Sequence, residues 1–148
     1  MHTYTRGGLI PLPPQQVFDY LTDQKNLPKW SPQVVSSEVM GGGPVQVGAK
    51  LLQKRRQGRR EMVNEVSVIE HEAPKRHTVR TQVMGVQTTF TFSCEPDGQG
   101  TKMTMSGEIL GKGVARLWEG FFAKMIEQAD DKVVDQLRAA VAPGNART

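Results

Sequence analysis

VARLWEGFFAKMIEQADDKVVDQLRAAV, residues 114–141, is the stretch on which the fold turns. Apolar residues recur at Val114, Leu117, Trp118, Phe121, Phe122, Met125, Ile126, Ala129, Val133, Leu137 and Ala140. Steps of three and four residues gather them into one broad helical stripe. Lys124, Glu127, Asp131 and Arg138 take the opposite side, and Pro143-Gly144 supplies a stop. At 1.5 Å rise per residue such a helix spans roughly 40 Å. A stripe that long and that aromatic predicts an equally long apolar partner.

The residues before it read as that partner, an antiparallel sheet. Segments near Val34–Met40, Ala49–Gln57, Arg60–Glu70, Arg76–Val83, Val86–Cys94 and Thr101–Leu110 are rich in Val, Thr, Met and Phe. Turn sequences divide them: Gly41-Gly42-Gly43-Pro44, Gly58, Ala73-Pro74, Gly85 and Pro96-Asp97-Gly98-Gln99-Gly100. Short connections make neighbouring strands antiparallel. Turns at Gln57-Gly58, Ile69 to Arg76, Met84-Gly85 and Glu95 to Gly100 would pair Gln53 with Met62, Val66 with Val79, His77 with Phe92 and Phe92 with Met103. Leu51, Gln53, Met62, Asn64, Val66, Val68, Val79, Thr81, Val83, Phe90, Phe92, Cys94, Met103 and Met105 then share one face. Lys50, Lys54, Glu65, Arg80, Gln87, Thr89, Thr91 and Lys102 share the other. A one-residue slip would destroy this sorting, so the apolar face is the expected seat of the helix.

Upstream, Tyr4 to Leu12 forms a candidate first strand, ended by Pro11, Pro13 and Pro14. A short helix follows with Val17, Phe18 and Leu21 on one side, then a second turn from Leu27 to Trp30. The order is strand, two short helices, six-stranded meander and long C-terminal helix. The stretch Ile10 to Asp23 (IPLPPQQVFDYLTD), the turn Asn26-Leu27-Pro28-Lys29-Trp30 and Gly98-Gln99-Gly100-Thr101 complete the pattern. On these residues the chain resembles the START-like or SRPBCC superfamily of polyketide cyclases/dehydrases and lipid transporters, which includes the birch pollen allergen and its relatives. The resemblance implies an α+β helix-grip fold, in which a six- to seven-stranded curved sheet wraps a long C-terminal helix. It also implies an apolar cavity opening near the short helices. Its motifs are structural, so they carry a fold further than a reaction. One START-like domain over residues 1–142 is expected, with a flexible tail at 143–148.

With 148 residues, 37% hydrophobic and 23% charged, the chain suits one globular domain. The single cysteine, Cys94, excludes an internal disulfide framework and fits a reducing, cytoplasmic setting. No apolar run reaches the ~20 residues of a membrane span, and the proline-interrupted N-terminus is unlike a secretory signal. Net charge is +4, concentrated at Lys50, Lys54, Arg55, Arg56, Arg59 and Arg60. These read as a solvated hairpin tip that discourages edge pairing. The alternative is a weak anionic partner at the hairpin from Lys50 to Arg60. Specific nucleic-acid binding is not expected, because no aromatics interleave with the cations.

His2, His71 and His77 lack metal-site spacing, and Cys94 has no neighbouring ligand. No nucleophile, Walker or dinucleotide motif occurs, so neither metal nor cofactor is expected. His71 falls in a predicted turn and reads as solvated. His77 reads as a rim residue, with a buried acid/base as the alternative. Gly120, inside the helix, implies either close packing or a bend.

Inward polar residues among apolar ones suggest a partly hydrated pocket rather than a solid core. The candidate ligand-binding set is Trp30, Gln53, Met62, Asn64, Val66, His77, Val79, Thr81, Thr88, Phe90, Phe92, Met103, Met105, Trp118, Phe121, Phe122 and Met125. Arg55 shares this parity but reads as part of the exposed hairpin. A carrier or sensor of a hydrophobic small molecule, such as a lipid, polyketide or isoprenoid, is the first expectation. A cyclase, aromatase or dehydrase is the second, with no catalytic residue assignable. A third is an accessory protein docking to a partner, as in relatives associated with carbon monoxide dehydrogenase.

Overall fold

The structure, a computed structural model, describes residues 1–83, 85–129 and 132–141, with the backbone alone at 57 and 129. The tail expected at 143–148 lies outside the described residues, as do Asp130 and Asp131. The strands are β1 (His2–Ile10), β2 (Val34–Val39), β3 (Lys50–Gln57), β4 (Arg60–Glu72), β5 (Arg76–Val83), β6 (Val86–Asp97) and β7 (Gly100–Gly111). All neighbouring pairs are antiparallel, and the sheet runs β1-β7-β6-β5-β4-β3-β2. Between β1 and β2 lie α1 (Pro14–Thr22), a 3₁₀ turn at Gln24–Asn26 and α2 (Leu27–Trp30). A second 3₁₀ turn, Gly113–Leu117, leads into α3 (Glu119–Ala129) and α4 (Val133–Val141). This is the expected α+β helix-grip architecture.

The sheet faces sort as parity predicts, but three hairpins pair differently. The β3–β4 turn is Gly58-Arg59, with Gly58 in the left-handed region at φ 60°, so Gln53 pairs with Asn64 and Leu51 with Val66. Extending β6 to Asp97 pairs Phe92 with Met105 and Cys94 with Met103. Each offset is two residues from the expected register, which keeps every side chain on its face. Val66 pairs with Thr81, not Val79.

A bulge between Val68 and Glu70 changes the end of β4. One extra residue reverses the inside–outside alternation beyond it, and the strand continues to Glu72 instead of turning at Ile69. His71 is thereby carried to the inner face opposite His77 and beneath Phe18. The solvated turn position expected for His71 is incorrect.

The C-terminal stripe also departs from expectation at its start. Gly113, at φ 60°, opens a 3₁₀ turn, and buried Ala115 packs against Gly85 and Gly111. Three residues per turn superpose Val114 and Leu117, and both point outward, 76% and 78% exposed. The α-helix starts at Glu119, whose Oε1 accepts the Gly111 N–H at 2.7 Å. Its inward side is Phe122, Ala123 and Ile126, while Trp118 and Phe121 face solvent. Gly120 meets nothing within 4 Å, so close packing does not explain it; it sits exposed in the first turn of α3. Val133, Val134 and Leu137 of α4 are buried, consistent with the second half of the stripe.

The apolar core is in two parts. A large cluster joins Phe18, Leu21, Leu27, Trp30, Ala123 and Leu137 from the helices to Phe92, Met103, Met105 and Ile109 from the sheet. A smaller one holds Leu51, Val66 and Val68.

Candidate functional site: an internal cavity and its histidine wall

A cavity of about 430 Å³ lies where the two clusters fail to meet. Strands β3 to β7 contribute Leu51, Gln53, Met62, Asn64, Val66, His77, Val79, Thr81, Val83, Val86, Thr88, Phe90, Phe92 and Met105. The short helices contribute Leu21, Leu27 and Trp30; Phe122, Met125, Ile126 and Val133 close it from the C-terminal helices. The wall exists because β3 to β6 present alternate residues to one side, and α3 covers them with Phe122, Met125 and Ile126.

Of the candidate residues, Trp30, Gln53, Met62, Asn64, Val66, His77, Val79, Thr81, Thr88, Phe90, Phe92, Met105, Phe122 and Met125 line this cavity. Met103 does not, being completely buried in the large cluster. Trp118 and Phe121 are excluded because the 3₁₀ turn and the start of α3 aim them at solvent, 50% and 70% exposed. Arg55, expected at the exposed tip, is half-buried and lines the cavity together with Arg60. Leu21, Leu27, Val86, Ile126 and Val133 also line it, though only the apolar periodicity of their helices and strands marks them. Elsewhere on the hairpin, Arg56 pairs with Glu61 at 3.0 Å and Lys50 approaches Glu65 at 3.9 Å.

Polar groups on the wall differ in how they are satisfied. Thr81 donates its hydroxyl to the Glu65 carbonyl at 3.0 Å. Ser37 Oγ donates to Gln24 Oε1 at 2.6 Å, and Gln24 Nε2 donates to the Thr22 carbonyl at 2.9 Å. The Trp30 indole N–H is buried without an acceptor among the described residues. Leaving a donor so placed costs about 1–3 kcal/mol. Its ring lies edge-on to Phe92, which pairs with His77 in the β5–β6 register.

His77 and His71 form a pair. Their Nδ1 atoms are 3.0 Å apart, so one imidazole donates and the other accepts. Phe18 covers both rings, with centroids 5.3 Å from His71 and 6.3 Å from His77. Burial, and secondarily the neighbouring His71, push the His77 pKa down to about 4, holding the ring neutral. His77 faces the cavity, whereas His71 faces an open outer groove of about 880 Å³ that also includes Asp19, Asp23, Lys25 and Glu38. Gln24 borders both spaces. The groove is larger but more open, with Gly41, Gly42 and Gly43 along it; the cavity, the less open of the two, is the better ligand site.

Cys94 is buried and its thiol pKa is raised to about 11 by that burial, which leaves it unreactive. Among the described residues no cluster of three or more His, Cys, Asp or Glu could hold a metal ion. None of their helices is long and apolar enough to cross a membrane.

A family model described as polyketide cyclase / dehydrase and lipid transport matches residues 1–142. Among curated proteins none matches by sequence. Solved structures do. Ara h 8.0201 is 18% identical with a TM-score of 0.76, over 95% of this chain and 97% of its own. Protein NE0264 from Nitrosomonas europaea is 15% identical with a TM-score of 0.78, over 97% and 96%. TTHA0849 from Thermus thermophilus is 16% identical with a TM-score of 0.72, over 97% and 99%. At such identities these likenesses speak for the fold alone.

Proposed function

The chain belongs to the polyketide cyclase / dehydrase and lipid transport family, and on that premise we propose that it holds a hydrophobic small molecule between its sheet and C-terminal helices. The observation that carries this is the divided core. A domain of this size gains stability by closing its apolar clusters together, yet here about 430 Å³ separates them. Phe90, Phe92, Met62, Met105, Val79 and Phe122 supply apolar wall, and methionine suits ligands of loosely defined shape. Gln53, Asn64 and Thr88 supply orienting polar atoms at separate points. A lipid, an isoprenoid or a polyketide satisfies these demands, with the protein acting as carrier or sensor. Chemistry on the bound molecule is the second reading, favoured by an imidazole on the wall.

Native mass spectrometry after incubation with a fatty acid, an isoprenoid alcohol and an aromatic polyketide tests the first reading. A one-to-one adduct with at least one of them is expected. Retention of the ligand-free mass with all three contradicts it.

A further inference from the structure

The wall between cavity and groove is crossed by two imidazoles in hydrogen-bond contact, and one end of that link is in each space. We propose that His77 is a catalytic acid/base toward an apolar carbonyl compound in the cavity, and that His71 relays its proton to the outer groove.

The two Nδ1 atoms face each other at 3.0 Å, which leaves each ring its Nε2 for other work. Among the described residues, neither Nε2 makes a hydrogen bond. With His77 protonated on Nδ1 and donating to His71, its Nε2 is a lone-pair base on the cavity side. A proton leaves the carbon next to the ligand carbonyl for His77 Nε2, and the C–H electron pair becomes the enolate. The Nδ1 proton passes from His77 to His71, and the His71 Nε2 proton leaves to water in the groove. Return of a proton by the reverse route restores both tautomers, so the cycle consumes nothing. Burial keeps the His77 ring uncharged.

A further observation agrees. Phe18 clamps both imidazoles, fixing the ring planes 86° apart. On the groove side Asp19, Asp23, Lys25 and Glu38 surround the exit, and none of them hydrogen-bonds either imidazole. Of the carboxylates flanking His71 in β4, Glu70 accepts from Thr78 and pairs with Arg76, while Glu72 is exposed.

The proposal rests on the cavity accepting an apolar ligand, and the two fail separately. The test probe is 2-tetralone in deuterated buffer, with binding followed by displacement of an apolar dye and α-carbon deuteration by NMR. Deuteration should exceed that in an equal concentration of free imidazole by roughly a hundredfold or more. His77→Gln and His77→Asn should lose this excess while still displacing the dye. His71→Ala should slow exchange, and added imidazole, entering from the groove, should partly restore it. A purely structural His71 would not respond to imidazole. Dye displacement without exchange above free imidazole overturns the dyad alone, as does full activity in the His77 variants. No displacement overturns the occupied cavity and the dyad together.

Discussion

Trp30 meets Phe92 edge-on, ring centroids 5.8 Å apart and planes at 84°, with its indole N–H buried and unpaired. The pair joins α2 to the middle of the sheet. It follows that Trp30 contributes to stability through its ring area and not through its nitrogen. Trp30→Phe should change unfolding free energy by less than about 1 kcal/mol, the removed orphan donor offsetting lost packing. Trp30→Ala should cost about 3–5 kcal/mol. Urea denaturation of both variants checks this; equal losses would show that the nitrogen has a partner.

His77 should make the protein acid-sensitive above the carboxylate range. Its folded pKa is lowered to about 4 from an ordinary 6.5, so between those values the unfolded chain binds the extra proton. Stability from this residue is complete above pH 6.5 and is lost as the pH falls toward 4, by about 3 kcal/mol in all. Plotted from pH 7 to 4, unfolding free energy should fall more steeply in wild type than in His77→Gln. An identical pH slope in both would contradict the buried neutral imidazole.

Gly107 faces Tyr4 across β1 and β7, and a Cβ there would fall 2.4 Å from the tyrosine ring. Tyr4 is itself buried, so it has little room to retreat. Gly107→Ala should therefore destabilise by about 1–3 kcal/mol. Combining it with Tyr4→Ala should be clearly less than additive. A harmless Gly107→Ala, measured by thermal unfolding, would show that the ring does not pack there.

Cys94 should resist thiol reagents. Its thiol is buried and its pKa is raised to about 11, so little thiolate forms near neutrality. Labelling by an aromatic disulfide at pH 8 should be slow in native protein and fast in urea, with rapid native labelling the contrary result.

The sheet's two faces are legible in the sequence because alternation survives an error of two residues. Gln53 and Phe92 therefore fall on the inner side by parity even though their partners are Asn64 and Met105. The bulge at Val68/Glu70 is not legible, since no glycine or proline marks it, and a turn expected from Ile69 to Arg76 leaves His71 in solvent. The break at the start of the C-terminal helix has a signal in Gly111-Lys112-Gly113. A 3.6-residue template nevertheless carries the stripe through Val114 and Leu117. It takes Trp118 and Phe121 into the cavity wall as well, and the tighter 3₁₀ turn removes them. Neither the volume between the clusters nor the contact of two imidazoles can be read from spacing: the first arises from how far the helices stand off the sheet, the second from the bulge in β4.

The decisive measurement is titration of an apolar fluorescent probe into wild type, Thr81→Trp and Phe121→Ser. Thr81 lines the cavity and is half-buried, so an indole there should fill the space without unfolding the sheet. Phe121 is exposed and does not line it. Saturable one-site binding should appear in wild type and Phe121→Ser and disappear in a still-folded Thr81→Trp. Undiminished binding by Thr81→Trp, or loss of binding in Phe121→Ser, would place the ligand elsewhere and contradict the cavity between sheet and helices.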